Sequence, residues 1–151
     1  MSYHVWSTNG FGICMDCINT TEEKLLQLIS MAPSFKDEYT EWAESMNGEG
    51  ESIEEATLGE LLEWEDDYGY SGLAPIMRAV LEEKENIRFV VAEGFNGAQY
   101  LLFEPFYPWS DVSPEESGAT EEGVAEILRK FVKVLTDEPI DVEYYSVECG
   151  G

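Results

Sequence analysis

The stretch Ile87–Trp109, IRFVVAEGFNGAQYLLFEPFYPW, carries the most fold information in this chain of 151 residues. Two apolar runs, Ile87–Ala92 and Gln99–Phe103, flank Asn96-Gly97. Asn and Gly both tolerate φ > 0, so the pair predicts a two-residue type I′ hairpin turn whose twist matches the strands. That turn would place Phe95 opposite Ala98, Val91 opposite Leu102 and Phe89 opposite Glu104. Ile87, Phe89, Val91, Phe95, Tyr100 and Leu102 would then share one face, and Val90, Ala92, Leu101 and Phe103 the other. Both faces are mostly apolar, which predicts a hairpin central in its sheet and covered on two sides.

A second Asn-Gly pair, Asn9-Gly10 in YHVWSTNGFGICM, predicts a further hairpin with Trp6 opposite Ile13 and Val5 opposite Cys14. Between the two lie helical patterns. Thr20 and Glu23 have capping-box spacing ahead of Leu25, Leu28, Ile29 and Ala32, and Pro33 stops that helix. Ser34 and Asp37 open a second, with its stripe at Phe35, Tyr39, Trp42, Ala43 and Met46. Thr57 and Glu60 form another capping box before Leu58, Leu61, Leu62 and Trp64, and Gly69–Gly72 interrupts the pattern. Leu73, Ile76, Met77, Val80 and Leu81 mark a helix ending near Asn86. Thr120 caps a last helix with Val124, Ile127, Leu128, Phe131 and Leu135 inward, and Ile140–Val147 alternates as a final strand. The order ββ-αααα-ββ-α-β predicts one α+β domain over residues 1–151, a mainly antiparallel sheet with helices packed on it.

Charge is the anomaly in the composition. Thirty-two Asp and Glu stand against eight Lys and Arg, a net charge of −24, in a chain 44% hydrophobic and 13% aromatic. So acidic a surface repels nucleic acid and anionic membrane and attracts basic protein surfaces. Residues 37–77 hold 13 acids and no Lys or Arg. Glu60, Glu63, Glu65, Asp66 and Asp67 concentrate that charge, with Tyr68 and Tyr70 beside them, and these are assigned as partner contacts. The competing reading is a solvated helix face, and it holds for Tyr39 and Trp42, which lie on the apolar stripe. In Pro105–Trp109, prolines stiffen a loop bearing Phe106, Tyr107 and Trp109. Tyr107 and Trp109 join the contact set as types enriched at binding hot spots, against a reading in which they fold over the core edge.

Other constellations are less specific. Cys14 and Cys17 have C-x-x-C spacing, and His4 and Cys149 would complete a zinc set, but the last two are single rather than a second paired motif. Cys14 alternates with apolar strand residues as a buried free thiol would, and a redox role is disfavoured because the motif does not stand between strand and helix of a βαβ unit. No phosphate-cradling glycine motif occurs, so no cofactor is expected and no catalytic residue is assigned. Acid pairs such as Glu115/Glu116 and Glu121/Glu122 carry no information among 32 acids. Arg129, Lys130 and Lys133 suit a helix C-terminus, where cations are favoured anyway. An odd cysteine count, no secretory pattern in Met1–Trp6 and no run of about 18 apolar residues point to a cytoplasmic setting.

Three stretches, YHVWSTNGFGICMD, QYLLFEPFYPW and LTDEPIDVEYYSVECGG, resemble small acidic proteins encoded by Gram-positive gut bacteria and their mobile elements. The resemblance implies a cytoplasmic bacterial or phage-type setting and transfers no site residue. The function expected from charge is a non-enzymatic binding module that occludes a basic, nucleic-acid-binding protein, as a nucleic-acid mimic or a nuclease-immunity-type inhibitor. The alternative is a small enzyme or ligand-binding domain in which Trp64, Tyr68, Tyr70 and Trp109 line an acidic pocket for a cationic or sugar ligand.

Overall fold

The computed structural model describes residues 5–47, 57–67, 69–94, 97–103 and 120–150. They form an α+β domain in the order β1 (Val5–Cys14), a 3-10 turn (Met15–Cys17), α1 (Glu22–Ser30), α2 (Pro33–Asn47), α3 (Leu58–Leu61), α4 (Leu73–Glu85), β2 (Val90–Glu93), β3 (Gln99–Phe103), α5 (Glu121–Leu135) and β4 (Glu143–Gly150). The four strands lie in the order β2-β3-β1-β4 with every neighbouring pair antiparallel. Among the described residues, no helix is long and apolar enough to cross a membrane.

The expected first hairpin is absent, because residues 5–14 run as one strand. Asn9 and Gly10 keep φ out of the left-handed region. The glycines serve close approach instead of a turn. A Cβ on Gly12 would stand 1.9 Å from the Leu101 carbonyl oxygen, and one on Gly10 would stand 2.5 Å from the Leu102 Cβ. Kept straight, β1 pairs with β4 from Val5 to Gly12 and with β3 from Phe11 to Cys14. A hairpin folded back on itself would give up one of those ladders.

The second hairpin forms, with a different register. Gly94 N–H donates to the Ala98 carbonyl and Gly97 N–H to the Gly94 carbonyl, so three residues lie inside the closing pair rather than two. Gly97 takes φ 82°, the left-handed position that a three-residue hairpin loop requires. Val91 therefore faces Leu101, and Val90 faces Leu102. A one-residue slip exchanges the two faces of a strand, so Leu101 and Phe103 join Phe89 and Val91 on the helix side, while Tyr100 and Leu102 join Ala92 on the other. Burial on both faces holds, since Leu101 and Leu102 are each fully buried. The central position does not: β2 is an edge strand, and the long β1 takes the interior place. Phe95 and Glu104 of the expected pairing lie outside the described residues.

One main core joins the helices to the sheet. Leu25, Leu28 and Ile29 of α1, Ile76, Met77, Val80 and Leu81 of α4, and Val124, Leu128, Phe131 and Leu135 of α5 pack on Phe11, Ile13, Val91 and Leu101. The caps are partly as read. Thr57 and Glu60 make the expected capping box, Thr120 accepts from Gly123 N–H, and Asn86 closes α4 at φ 54°. The first cap is Thr21 rather than Thr20, with the Thr21 hydroxyl accepting from Lys24 N–H. Ser34 is not a cap. The second helix begins at Pro33, whose missing N–H suits a first helical position, and the Glu83 carboxylate of α4 accepts from Ser34 and Phe35 N–H at 3.1 and 2.8 Å.

Candidate functional site

Helices α2 and α3 with the turn after them present an anionic face. Apolar positions three and four apart turn Phe35, Tyr39 and Ala43 of α2 inward. The alternate positions Asp37, Glu38, Glu41 and Glu44 are left exposed along the same helix, where Lys36 is the single cation. At 1.5 Å rise per residue, those four carboxylates span about 10.5 Å of axis, an average step of about 3.5 Å. Tyr39 hydroxyl donates to the Leu61 carbonyl and the Trp64 ring meets Phe35 edge-on at 5.0 Å. These contacts dock α3 and the following turn beside α2, adding Glu60, Glu63, Glu65 and Asp67, all exposed. Burial raises the Tyr39 hydroxyl above its ordinary pKa, so it stays a donor.

Sequence reading treated Glu60 to Asp67 as one cluster, but the fold separates its members. Asp66 is a structural group, with its side chain only 6% exposed and its Oδ2 3.3 Å from Arg78, itself 16% exposed. Its Oδ1 accepts from Tyr70 N–H at 2.9 Å, and its own N–H donates to the Tyr70 carbonyl. A short bridge between Glu65 and Ser71 completes this turn, which Gly69 and Gly72 close with φ of 86° and 103°. Asp66 is thus removed from the contact set, since its charge is spent holding the turn to α4. Glu60 is exposed but also accepts from Thr57 N–H and hydroxyl within the capping box. Tyr70 is half-buried against the main core. Tyr68, Tyr107 and Trp109 lie outside the described residues.

The same turn builds a cleft of about 350 Å³ that no local sequence signal announces. Ser34, Phe35 and Glu38 of α2 form one wall, Trp64, Asp66 and Asp67 another, and Pro75, Arg78, Ala79, Glu82 and Glu83 of α4 the third. Asp66 is held by Arg78, Glu83 by the start of α2 and Glu82 by Arg88 at 3.5 Å. The Glu38 and Asp67 side chains make no hydrogen bond or ion pair among the described residues and remain available at the rim. Of the four aromatics proposed for one acidic pocket, Trp64 lines this cleft, while Tyr70 lines a separate one with Arg78, Arg88 and Phe89.

The four-ligand zinc set is not assembled. The β1–β4 register puts Cys149 opposite Trp6, eight residues along β1 from Cys14. At about 3.3 Å per residue, roughly 26 Å separates them, far beyond the span of one ion's ligands. His4 lies outside the described residues, and no group of three or more His, Cys, Asp or Glu poised to hold a metal occurs among those described. Of the basic residues in α5, Lys130 pairs with Glu85 at 3.2 Å.

Comparison with protein-family models, with curated proteins and with solved structures finds no match to this chain.

Proposed function

We propose that this chain is an acidic, non-enzymatic protein-binding module that occludes a basic, nucleic-acid-binding partner, as a nucleic-acid mimic or a nuclease-immunity-type inhibitor, in a cytoplasmic bacterial or phage-type setting. The observation that carries the reading is the α2–α3 face. Asp37, Glu38, Glu41, Glu44, Glu63, Glu65 and Asp67 are all exposed on adjoining elements, and none is ion-paired among the described residues. Fixed like charges on rigid helices steer a basic partner and compete with phosphate for the same Lys and Arg side chains. The four carboxylates on α2 average about 3.5 Å apart along the axis, close to the phosphate spacing of about 3.4 Å per strand of duplex axis.

The cleft favours a second reading, a binding site for a small cationic ligand. Its volume falls at the low end of ligand pockets, which run from about 300 to 1,000 Å³. Glu38 and Asp67 would neutralise a guanidinium or ammonium whose apolar stem lies along Trp64 and Pro75.

Two charge-removing variants separate these readings. In the first, Glu41→Gln, Glu44→Gln and Glu63→Gln strip the α2–α3 face. In the second, Glu38→Gln and Asp67→Asn strip the cleft rim. Binding to nucleic-acid-binding proteins eluted from a DNA column is expected to weaken in the first variant. Loss confined to the second, together with binding of free arginine by the unaltered protein, would establish the small-ligand reading and displace the first.

A further inference from the structure

We propose that Cys14 and Cys17 are a modification site, a dithiol that closes to an intramolecular disulfide by exchange with a low-molecular-weight disulfide such as oxidised glutathione. This inference is independent of the acidic face and stands on the turn that ends β1. Cys14 is the last residue of that strand and the N-cap of the 3-10 turn Met15–Cys17, with φ −88° and ψ 116°. The ends of a four-residue turn lie within about 7 Å of each other in Cα separation. Most disulfides span about 4.4–6.8 Å, so closure requires no strand to move.

The surroundings agree with that geometry. The Cys14 and Cys17 side chains interact electrostatically with each other. The turn is held from three sides, by burial of Met15, by Ile18 N–H on the Met15 carbonyl at 3.2 Å, and by Asp16 Oδ1 accepting from Gln99 N–H at 3.3 Å. Cys17 is exposed and Cys14 half-buried, so Cys17 is the sulfur that an external disulfide reaches and Cys14 the one that resolves it. Tyr100, the β3 partner of Cys14, packs its ring 5.0 Å from Tyr145 beside the pair. Cys149 sits at the far end of the β1–β4 ladder and cannot compete. Cys14 as acceptor, with Asp16 and Asp141 adding to the effect, holds the Cys17 thiol above its ordinary pKa, so little thiolate is present at neutral pH and the exchange quickens as pH rises.

The exchange balances in two steps. The Cys17 thiolate attacks one sulfur of oxidised glutathione, that S–S bond breaks, and one glutathione leaves as thiolate. The Cys14 thiolate then attacks the Cys17 sulfur, forming the Cys14–Cys17 bond and releasing the second glutathione. Both cysteines are oxidised, the glutathione disulfide is reduced to two thiols, and the two cysteine protons end on them.

The test equilibrates the full chain anaerobically in glutathione buffers, traps it by alkylation and reads peptide masses. The expected result is that the Cys14–Cys17 peptide loses two hydrogens and takes no alkyl group. Raising total glutathione at a fixed oxidised-to-reduced ratio should return it to the dithiol. That dependence marks an intramolecular bond, because a mixed disulfide responds to the ratio alone. The Cys14→Ser variant should instead accumulate glutathione on Cys17. Wild-type protein that carries a glutathione adduct on Cys17, links chain to chain, or stays fully alkylated at every poise would overturn the proposal.

Discussion

At the scale of single residues, Asp66 and Asp67 are neighbours with opposite duties. Asp66 faces Arg78 and the Tyr70 N–H from a nearly closed site, whereas Asp67 faces solvent at the cleft rim. Asp66→Asn keeps an acceptor but loses a charged partner, and is expected to cost about 1–3 kcal/mol in urea unfolding. Asp67→Asn should change stability by no more than about 0.5 kcal/mol. Equal effects from the two would show that the ion pair does not anchor the turn. The difference was not legible beforehand. A run of acids reads as uniform charge, and the cation that turns Asp66 inward lies twelve residues away on another helix. Glu83 hides for the same reason, since it caps α2 from α4. Tyr145 supplies a pH test, its hydroxyl pushed up to about 12 by burial, with Glu143 adding to the effect. Unfolded, it ionises near its ordinary value of 10.0, so between these values the unfolded chain binds fewer protons. Stability is then flat below about pH 10 and falls as pH rises toward 12. Tyr145→Phe should make that fall shallower in unfolding curves taken across the range.

Among the elements, β1 departs most from sequence expectation and governs the sheet. Asn9-Gly10 has turn chemistry, yet the glycines at 10 and 12 are needed where β3 crosses within contact of the β1 backbone. Propensity is a local signal, and here pairing with two strands overrides it. The helices were legible because their apolar stripes repeat at helical spacing over 9–15 residues in α1, α2, α4 and α5. The register of the second hairpin was not, since it hinges on whether two or three residues fill the loop. Gly12→Ala would drive a Cβ into the Leu101 carbonyl, backbone that has no flexible end to yield. It is expected to abolish cooperative unfolding. Gly97→Ala meets no atom within 4 Å but retains φ 82°, and should cost about 1–2 kcal/mol. Leu101→Ala should cost about 2–5 kcal/mol by emptying the buried site between sheet and helices. If Gly12→Ala melts like wild type by circular dichroism, β1 does not approach β3 as described.

For the whole molecule, charge opposes the fold and is kept nonetheless. At −24, with ion pairs at Asp66–Arg78, Glu82–Arg88 and Glu85–Lys130 among the described residues, most carboxylates repel one another across the surface. Screening shortens the reach of that repulsion to about 8 Å at physiological ionic strength and about 3 Å at 1 M. The folded state should accordingly gain stability as sodium chloride is added, with a rising melting temperature. The α+β class followed from hydrophobic pattern with turn and cap signals, although one of the two expected hairpins does not form, and the acidic region followed from composition. The cleft did not follow, because its walls come from three segments that only the packed core brings together. Electrostatic occlusion is tested most directly by the salt dependence of binding to a basic protein recovered from a DNA column. Log K should fall linearly and steeply with log salt, and Glu41→Gln, Glu44→Gln and Glu63→Gln together should make the slope shallower. Binding of equal strength at low and high salt, or a slope unchanged by those three substitutions, would contradict it.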